Sequence, residues 1–403
     1  MMKMFEQIIS TYNFETVLLE KAKGSWVWDT EGKKYLDCVS GTWTCNLGHN
    51  HPRIIETIKH QSEKMLHRNM RFLTPETLEA AQALLDFLPV KMDKITFLNS
   101  GSEAMEFAIA LARKASKKVK IFSLMDSYFG AYGYAREASY TSSQASKLKI
   151  PYPEHKFDLC GQEEKEFDEL IDHIITNYAS ELACFVLEPI MVSGGIHKPC
   201  PKFVKKLCER LQEAGVIIIS NEVTTGFGRS GFKFGFQHHQ IIPDIIAAGK
   251  ALGNGYPVSM IATKTKIQEM IDPADMYYAQ SHQLDPLGAS VAKTVVNIFD
   301  EEKVIEKSQE TIQELKEFFE SFDKPFIEET RAIGMLFAFQ IKDYKESTAE
   351  QIIIKLKDEL FKQGLLVGIS TGKKIIRMLP PINISRDEIA FLKEKIKMVF
   401  DAY

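Results

Sequence analysis

Residues 245–263 read IIAAGKALGNGYPVSMIAT: an apolar run, a single charge at Lys250, a glycine-rich turn and a second apolar run. Residues 244–248 are short, apolar after Asp244 and stopped by Gly249, which predicts a buried strand with the lysine at its exit. Water keeps a surface lysine protonated and unreactive. Withdrawal from water favours the neutral amine, whose lone pair can attack a carbonyl to form an imine. Lysine is also the commonest bland surface residue, so the rest of the chain has to decide what Lys250 is for.

Working outward, the same design recurs. Residues 216–220 predict a strand that runs into a glycine-rich turn (VIIISNEVTTGFGRSG, 216–231), and 119–124 and 183–187 predict two more. Between them, residues 102–116, 163–178 and 201–214 carry apolar positions at helical spacing. Strand and helix in alternation imply an α/β fold, a mostly parallel sheet with helices on both faces. At the start, residues 24–45 predict a hairpin about Thr30-Glu31-Gly32. After Pro286 one long helical stretch to about Phe322 is followed by strand 335–341, helix 349–362, strand 374–378 and helix 386–400, a smaller α+β domain. The expected division is an N-terminal segment 1–47 joining the small domain, a large domain 48–288 and a small C-terminal domain 289–403, with a shared cleft and neither repeat nor low-complexity linker.

A chain of 403 residues can bury two cores. Its net charge is −4 with scattered Lys and Arg, which gives no electrostatic footprint for nucleic acid. No run approaches the length of a membrane helix, and residues 1–15 lack the apolar core of a secretory signal. Cys38, Cys45, Cys160, Cys184, Cys200 and Cys208 form no C-x-x-C pair, so reduced thiols in a cytoplasmic enzyme acting on small molecules are expected.

Several motifs admit two readings. Asn99-Ser100-Gly101-Ser102-Glu103 opens the helix at 102. Ser100 or Ser102 capping that helix, with Glu103 favouring its dipole, is an ordinary N-terminus, yet small residues there also leave free N–H groups for an anion. Gly226, Gly228 and Gly231 spell G-x-G-x-x-G but lead into Phe232, Phe234 and Phe236 rather than a helix, which excludes a dinucleotide site. Gly249-Lys250 is no P-loop, because Asp244 and Ala251 stand where glycine and a hydroxyl residue are required. His49 and His51 in Gly48-His-Asn-His-Pro52, like His238 and His239, lack ligand spacing and read as structural, so no metal is expected. Arg377 ends an apolar segment and needs a carboxylate, internal or from substrate.

Joined in order, Trp28-Asp29 through Asp37, the Gly48–Pro52 turn, NSGSEAMEFAIALAR (99–113), Glu188-Pro189, NEVTTGFGRSG (221–231), PDIIAAGKALGNGYP (243–257), SHQLDPLGAS (281–290) and IIRMLPP (375–381) resemble the class III aminotransferases across nearly the whole chain. That resemblance implies the fold type I architecture of pyridoxal 5'-phosphate transferases and a homodimer. It also implies a Schiff base at Lys250, and phosphate held by Ser100, Gly101 and Ser102 with Ser281 of the neighbouring subunit. The ring would be flanked by Tyr128, Asn221, Val223 and Thr224 and supported by Glu188, with substrate against Trp43 and its carboxylate on Arg377. The implied activity moves an amino group from an amine or amino acid to a 2-oxo acid. Racemisation, epimerisation, aminomutation or decarboxylation on the same Schiff base is the alternative, and a non-catalytic coenzyme-binding protein is the alternative of another class.

The chain departs from that family's pattern in informative places. Asn221 stands where an aspartate is usual, and Thr224 where many members have glutamine. Ala131 replaces an arginine that binds a carboxylate of ω-amino acids, and Ser193 replaces a glutamate that masks the arginine matched by Arg377. These changes imply altered ring electronics and a donor side lined by Trp43, Tyr128 and Phe129 that is less cationic, unless Arg136 reaches in. Arg229 is expected to order the loop after Asn221.

Overall fold

The computed structural model describes residues 7–9, 14–141, 147–150, 163–275 and 277–403, with backbone alone for 147–150 and 163–166. Cys160 lies outside the described residues; the other five cysteines are buried free thiols. No helix among the described residues is long and apolar enough to cross a membrane.

The N-terminal strands β1 (Leu19–Lys23), β2 (Trp26–Asp29) and β3 (Lys34–Asp37) form an antiparallel meander. Gly32, at φ 84°, makes the turn between β2 and β3 that the sequence predicts. The central sheet holds β4 (Lys94–Leu98), β5 (Lys120–Leu124), β6 (Lys147–Ile150), β7 (Leu182–Leu187), β8 (Ile217–Asn221), β9 (Ile245–Ala248) and β10 (Ser259–Thr263), in the order β4-β10-β9-β8-β7-β5-β6. All neighbours are parallel except at β10, which runs against both β4 and β9.

Both faces of this sheet are buried, which is why its strands read as unbroken apolar runs. Ile217, Ile219, Ile245 and Ala247 join one core with the helix Gly101–Ser116, whose Ala104, Ala108 and Ala112 are small enough to lie close on the strands. Ile218, Ile246 and Ala248 face the opposite core. Successive side chains therefore alternate up to the strand ends where the chemistry lies.

The C-terminal part carries a second sheet, antiparallel in the order β11-β12-β15-β14, from β11 (Ile327–Ile333), β12 (Leu336–Ile341), β14 (Gly368–Ser370) and β15 (Ile375–Met378). The intervening β13 (Leu365–Leu366) leaves it and pairs in parallel with β3. The long helical stretch expected after Pro286 is two helices, Pro286–Glu301 and Val304–Glu320, broken where Lys303 takes φ 51°. A left-handed residue cannot continue a right-handed helix, so the charged run hides a turn. β1, β4, β6, β10, β11, β13 and β14 were not foreseen as strands. The segment 222–234 is turns leading to a short 3-10 helix, Gly235–His239, as the rejection of a dinucleotide site requires.

Candidate active site

The C-terminal ends of β4, β5, β7, β8 and β9 lie along one edge of the central sheet, the edge where α/β proteins bind ligands. Lys250 follows β9 after Gly249 and adopts φ 47°, a conformation that costs a non-glycine residue about 1–2 kcal/mol. Its Nζ donates to Thr224 Oγ1 at 2.7 Å and lies 4.5 Å from the centre of the Trp43 ring. Burial lowers its pKa to about 8, with Glu188 opposing the shift and Arg377 and Arg229 adding to it. Glu188, at the end of β7, is itself pushed up to about 8 by burial, although the N–H groups of Tyr128 (2.8 Å) and Val192 (3.2 Å) bond its carboxylate.

The helix Gly101–Ser116 begins at this edge behind a complete capping box. Ser100 Oγ accepts from Glu103 N–H at 3.2 Å, while Glu103 Oε2 accepts from the N–H groups of Asn99 and Ser100. The ordinary cap is therefore real, and it consumes Ser100. The N–H groups of Gly101 and Ser102 form no hydrogen bond among the described residues, and Ser102 Oγ, accepting from Ala131 N–H at 3.1 Å, keeps its proton to donate. Three donors at a helix N-terminus make a cradle for a phosphate-sized anion. A side chain at Gly101 would enter it: a Cβ there would lie 2.7 Å from Val223 Cγ1.

Asn221 closes β8 with its Nδ2 donating to the Tyr128 carbonyl at 3.0 Å and its Oδ1 accepting from Val223 N–H at 3.2 Å. Glu222 points the other way, as strand alternation demands. It is fully buried and accepts from Ser220 Oγ, Thr225 Oγ1 and the N–H groups of Gly235 and Phe236.

On the facing wall, Ser40, Gly41 and Trp43 all take positive φ, a left-handed turn rather than a helix, and this turns the Trp43 ring toward the cleft. The Arg377 guanidinium carbon lies 4.6 Å from that ring's centre. Nη1 of Arg377 reaches the Val192 carbonyl at a long 3.3 Å, and Nε is buried with no partner. Burial lowers its pKa to about 10, against Tyr140. No carboxylate lies within ion-pair distance among the described residues, so the internal salt bridge that competed in the sequence reading is absent.

Other expectations change. Phe129 is 2% exposed and packs in the sheet core, so it does not line the cleft. Arg136 is exposed on the short helix Gly133–Ala138. Ser281 is exposed and forms no hydrogen bond among the described residues. Arg229 does far more than order a loop: fully buried, it donates to Asn46 Oδ1, Ser40 Oγ and the carbonyls of Met335 and Pro380, joining the N-terminal and C-terminal parts of the chain. Its reach was not legible, because its partners lie more than 100 residues away in sequence. Of the histidines singled out in the sequence, His49 meets Asp37 at 2.8 Å, while His238 and His239 bond the Ser230 and Pro189 carbonyls.

A lysine at the exit of a parallel strand, facing a helix N-terminus across one sheet edge, on this topology defines a pyridoxal-phosphate transferase of fold type I. The family model for class-III aminotransferases matches residues 10–400, and the chain belongs to that family. It is 29% identical over 398 residues to a probable 4-aminobutyrate aminotransferase of Bacillus subtilis, covering 91% of this chain and 89% of that protein. Among solved structures it resembles an (S)-enantioselective omega-transaminase from Thermomicrobium roseum, with TM-score 0.87, 26% identity, and 96% and 92% of the two chains covered. The acetylornithine aminotransferase from Elizabethkingia anophelis superposes with TM-score 0.82 at 28% identity, covering 100% and 98%. The protein is a pyridoxal-phosphate-dependent aminotransferase that transfers an amino group from an amine or amino acid to a 2-oxo acid, by the lysine Schiff-base mechanism general to its family.

Proposed function

We propose that Lys250 is the lysine of that mechanism and that the edge around it forms the coenzyme and substrate site. The observation that carries this reading is the Lys250 amine, held at a strand exit between Thr224 Oγ1 and the Trp43 ring, where burial lowers its pKa to about 8, so that about a fifth is neutral near physiological pH. Pyridoxal phosphate, when bound, supplies the aldehyde that lysine condenses with and a conjugated ring that draws electrons from the substrate carbon. The Gly101 and Ser102 N–H groups and the Ser102 hydroxyl bind its phosphate, beside the cap made by Ser100. Tyr128 and Val223 would hold its ring, and Asn221 and Thr224 would offer hydrogen bonds to the ring's polar atoms. Glu188 fixes the Tyr128 backbone. With the coenzyme bound, the Lys250 amine would be the group at this edge able to take and return a proton at the substrate carbon.

Arg377 takes the carboxylate of the 2-oxo acid, and Trp43 packs against the substrate and both cations. With Ala131 and Ser193 in place of charged residues and Arg136 exposed, the donor side suits an amine without a second carboxylate. The reading includes a homodimer in which Ser281 contributes to the neighbouring phosphate site, a cytoplasmic location, and the chain divided at residues 1–47, 48–288 and 289–403.

The test has two parts. Borohydride reduction of the loaded protein, followed by mass mapping, is expected to fix the coenzyme on Lys250. A panel of amines, ω-amino acids and α-amino acids with pyruvate or 2-oxoglutarate then reads the donor class. Coenzyme fixed at another lysine would overturn the site; 4-aminobutyrate or acetylornithine as the best donor would overturn the donor assignment.

A further inference from the structure

Asn221 is held from both sides by backbone. Its Nδ2 gives one proton to the Tyr128 carbonyl and its Oδ1 takes the Val223 N–H, so exchanging nitrogen and oxygen would set acceptor against acceptor and donor against donor. The amide's orientation is thus fixed by its partners. What it has left to offer is its second N–H, which is a neutral donor. The residue stands in register with Ala247, three positions before Lys250, at the same sheet edge.

Other carboxylates on this edge are committed. Glu188 takes the N–H groups of Tyr128 and Val192 on its two oxygens. Glu222, on the opposite face of the strand, is saturated by four donors. A pyridine nitrogen is a weak base, and without an anion facing it the ring stays unprotonated near neutral pH.

We propose that Asn221 holds the coenzyme's ring nitrogen as an unprotonated hydrogen-bond acceptor, through the amide proton that the Tyr128 carbonyl leaves free. This rests on the assignment of Lys250 as the coenzyme lysine. Asn221 is here a positioning residue for ring electronics: a neutral ring is a weaker electron sink, and the Tyr128 carbonyl is part of the device because it orients the donor. An aspartate at 221 would set a carboxylate oxygen against that carbonyl, so the orienting contact itself suits an amide.

The experiment is 15N NMR of protein loaded with coenzyme labelled at the ring nitrogen, alongside borohydride fixation to confirm loading. Wild type is expected to show a pyridine-type resonance, far downfield of pyridinium, unchanged between pH 6 and 8.5. Asn221→Asp is expected to move it to the pyridinium position and to lower the melting temperature of the coenzyme-free protein. Asn221→Ala, which removes the donor and adds no charge, is expected to shift it further downfield. A pyridinium resonance in wild type, or a resonance that neither substitution moves, overturns the proposal. Failure to fix coenzyme at Lys250 instead overturns the underlying site assignment, so the two failures are distinct.

Discussion

Arg229 and Arg377 are both buried cations in apolar surroundings, and neither pairs directly with a carboxylate among the described residues. Arg229 spreads its donors over two side-chain oxygens and two carbonyls and is closed to anything new. Arg377 has one long contact, an unpartnered Nε and an aromatic ring. Burial depresses both, Arg229 to about 9 and Arg377 to about 10. The difference lies in what remains unmet. A saturated arginine holds the fold together, whereas an unsaturated one is open to a ligand, since a buried donor without an acceptor is a standing cost that an incoming carboxylate would remove.

The sharpest way to break this contrast is Arg229→Met. Emptying that position leaves Asn46 Oδ1 and two buried carbonyls without donors, so a loss of about 3 kcal/mol or more is expected. Denaturant unfolding measures it, and a loss under about 1 kcal/mol would show that Arg229 is not structural. Arg377→Met should do the reverse: a stability change within about 1 kcal/mol, and a KM for the 2-oxo acid raised about 10- to 100-fold, the worth of a charge-assisted bidentate pair. Equal effects on stability would erase the distinction.

Lys250, on the sheet side of the cleft, offers a finer test of what burial does to a cation. Its trapping by pyridoxal phosphate and borohydride in coenzyme-free protein should rise with pH about a midpoint near 8, whereas surface lysines rise near 10.4. A midpoint near 10 would place the amine in water. The smallest effect belongs to His49. Burial opposes its charge, but Asp37 and Cys45 outweigh burial and raise it to about 10. Its folded pKa is raised, so its stabilisation is full below the unfolded value of about 6.5 and disappears as pH rises through about 10. His49→Asn should therefore cost about 1.5 kcal/mol at pH 6 and nothing above pH 10, by chemical denaturation across that range.

The elements legible in the sequence are those whose pattern is local. The helix Ala349–Lys362 and the strand ends around Asn221 and Lys250 follow from periodicity and turn residues. Ile327–Ile333 escaped because its half-exposed, polar run lacks an apolar signature, and the break at Lys303 because charged residues flank it on both sides. The candidate site was readable through its glycines and its lone lysine. Three features were not: the grip of Tyr128 on Asn221, the saturation of Arg229 and the burial of Phe129. Each depends on a partner set by the fold rather than by neighbours along the chain.

The two-residue strand β13 gives the molecule a schedule. β3 finds its parallel neighbour when Leu365 arrives opposite Leu36. At ribosomal speeds of about 5–20 residues per second, the nascent meander waits roughly 20–60 s for it. Trp43, a few residues beyond β3, is waiting as well. The wall of the cleft that carries Trp43 is thus among the later parts to assemble, set in place only after residue 365 has left the tunnel.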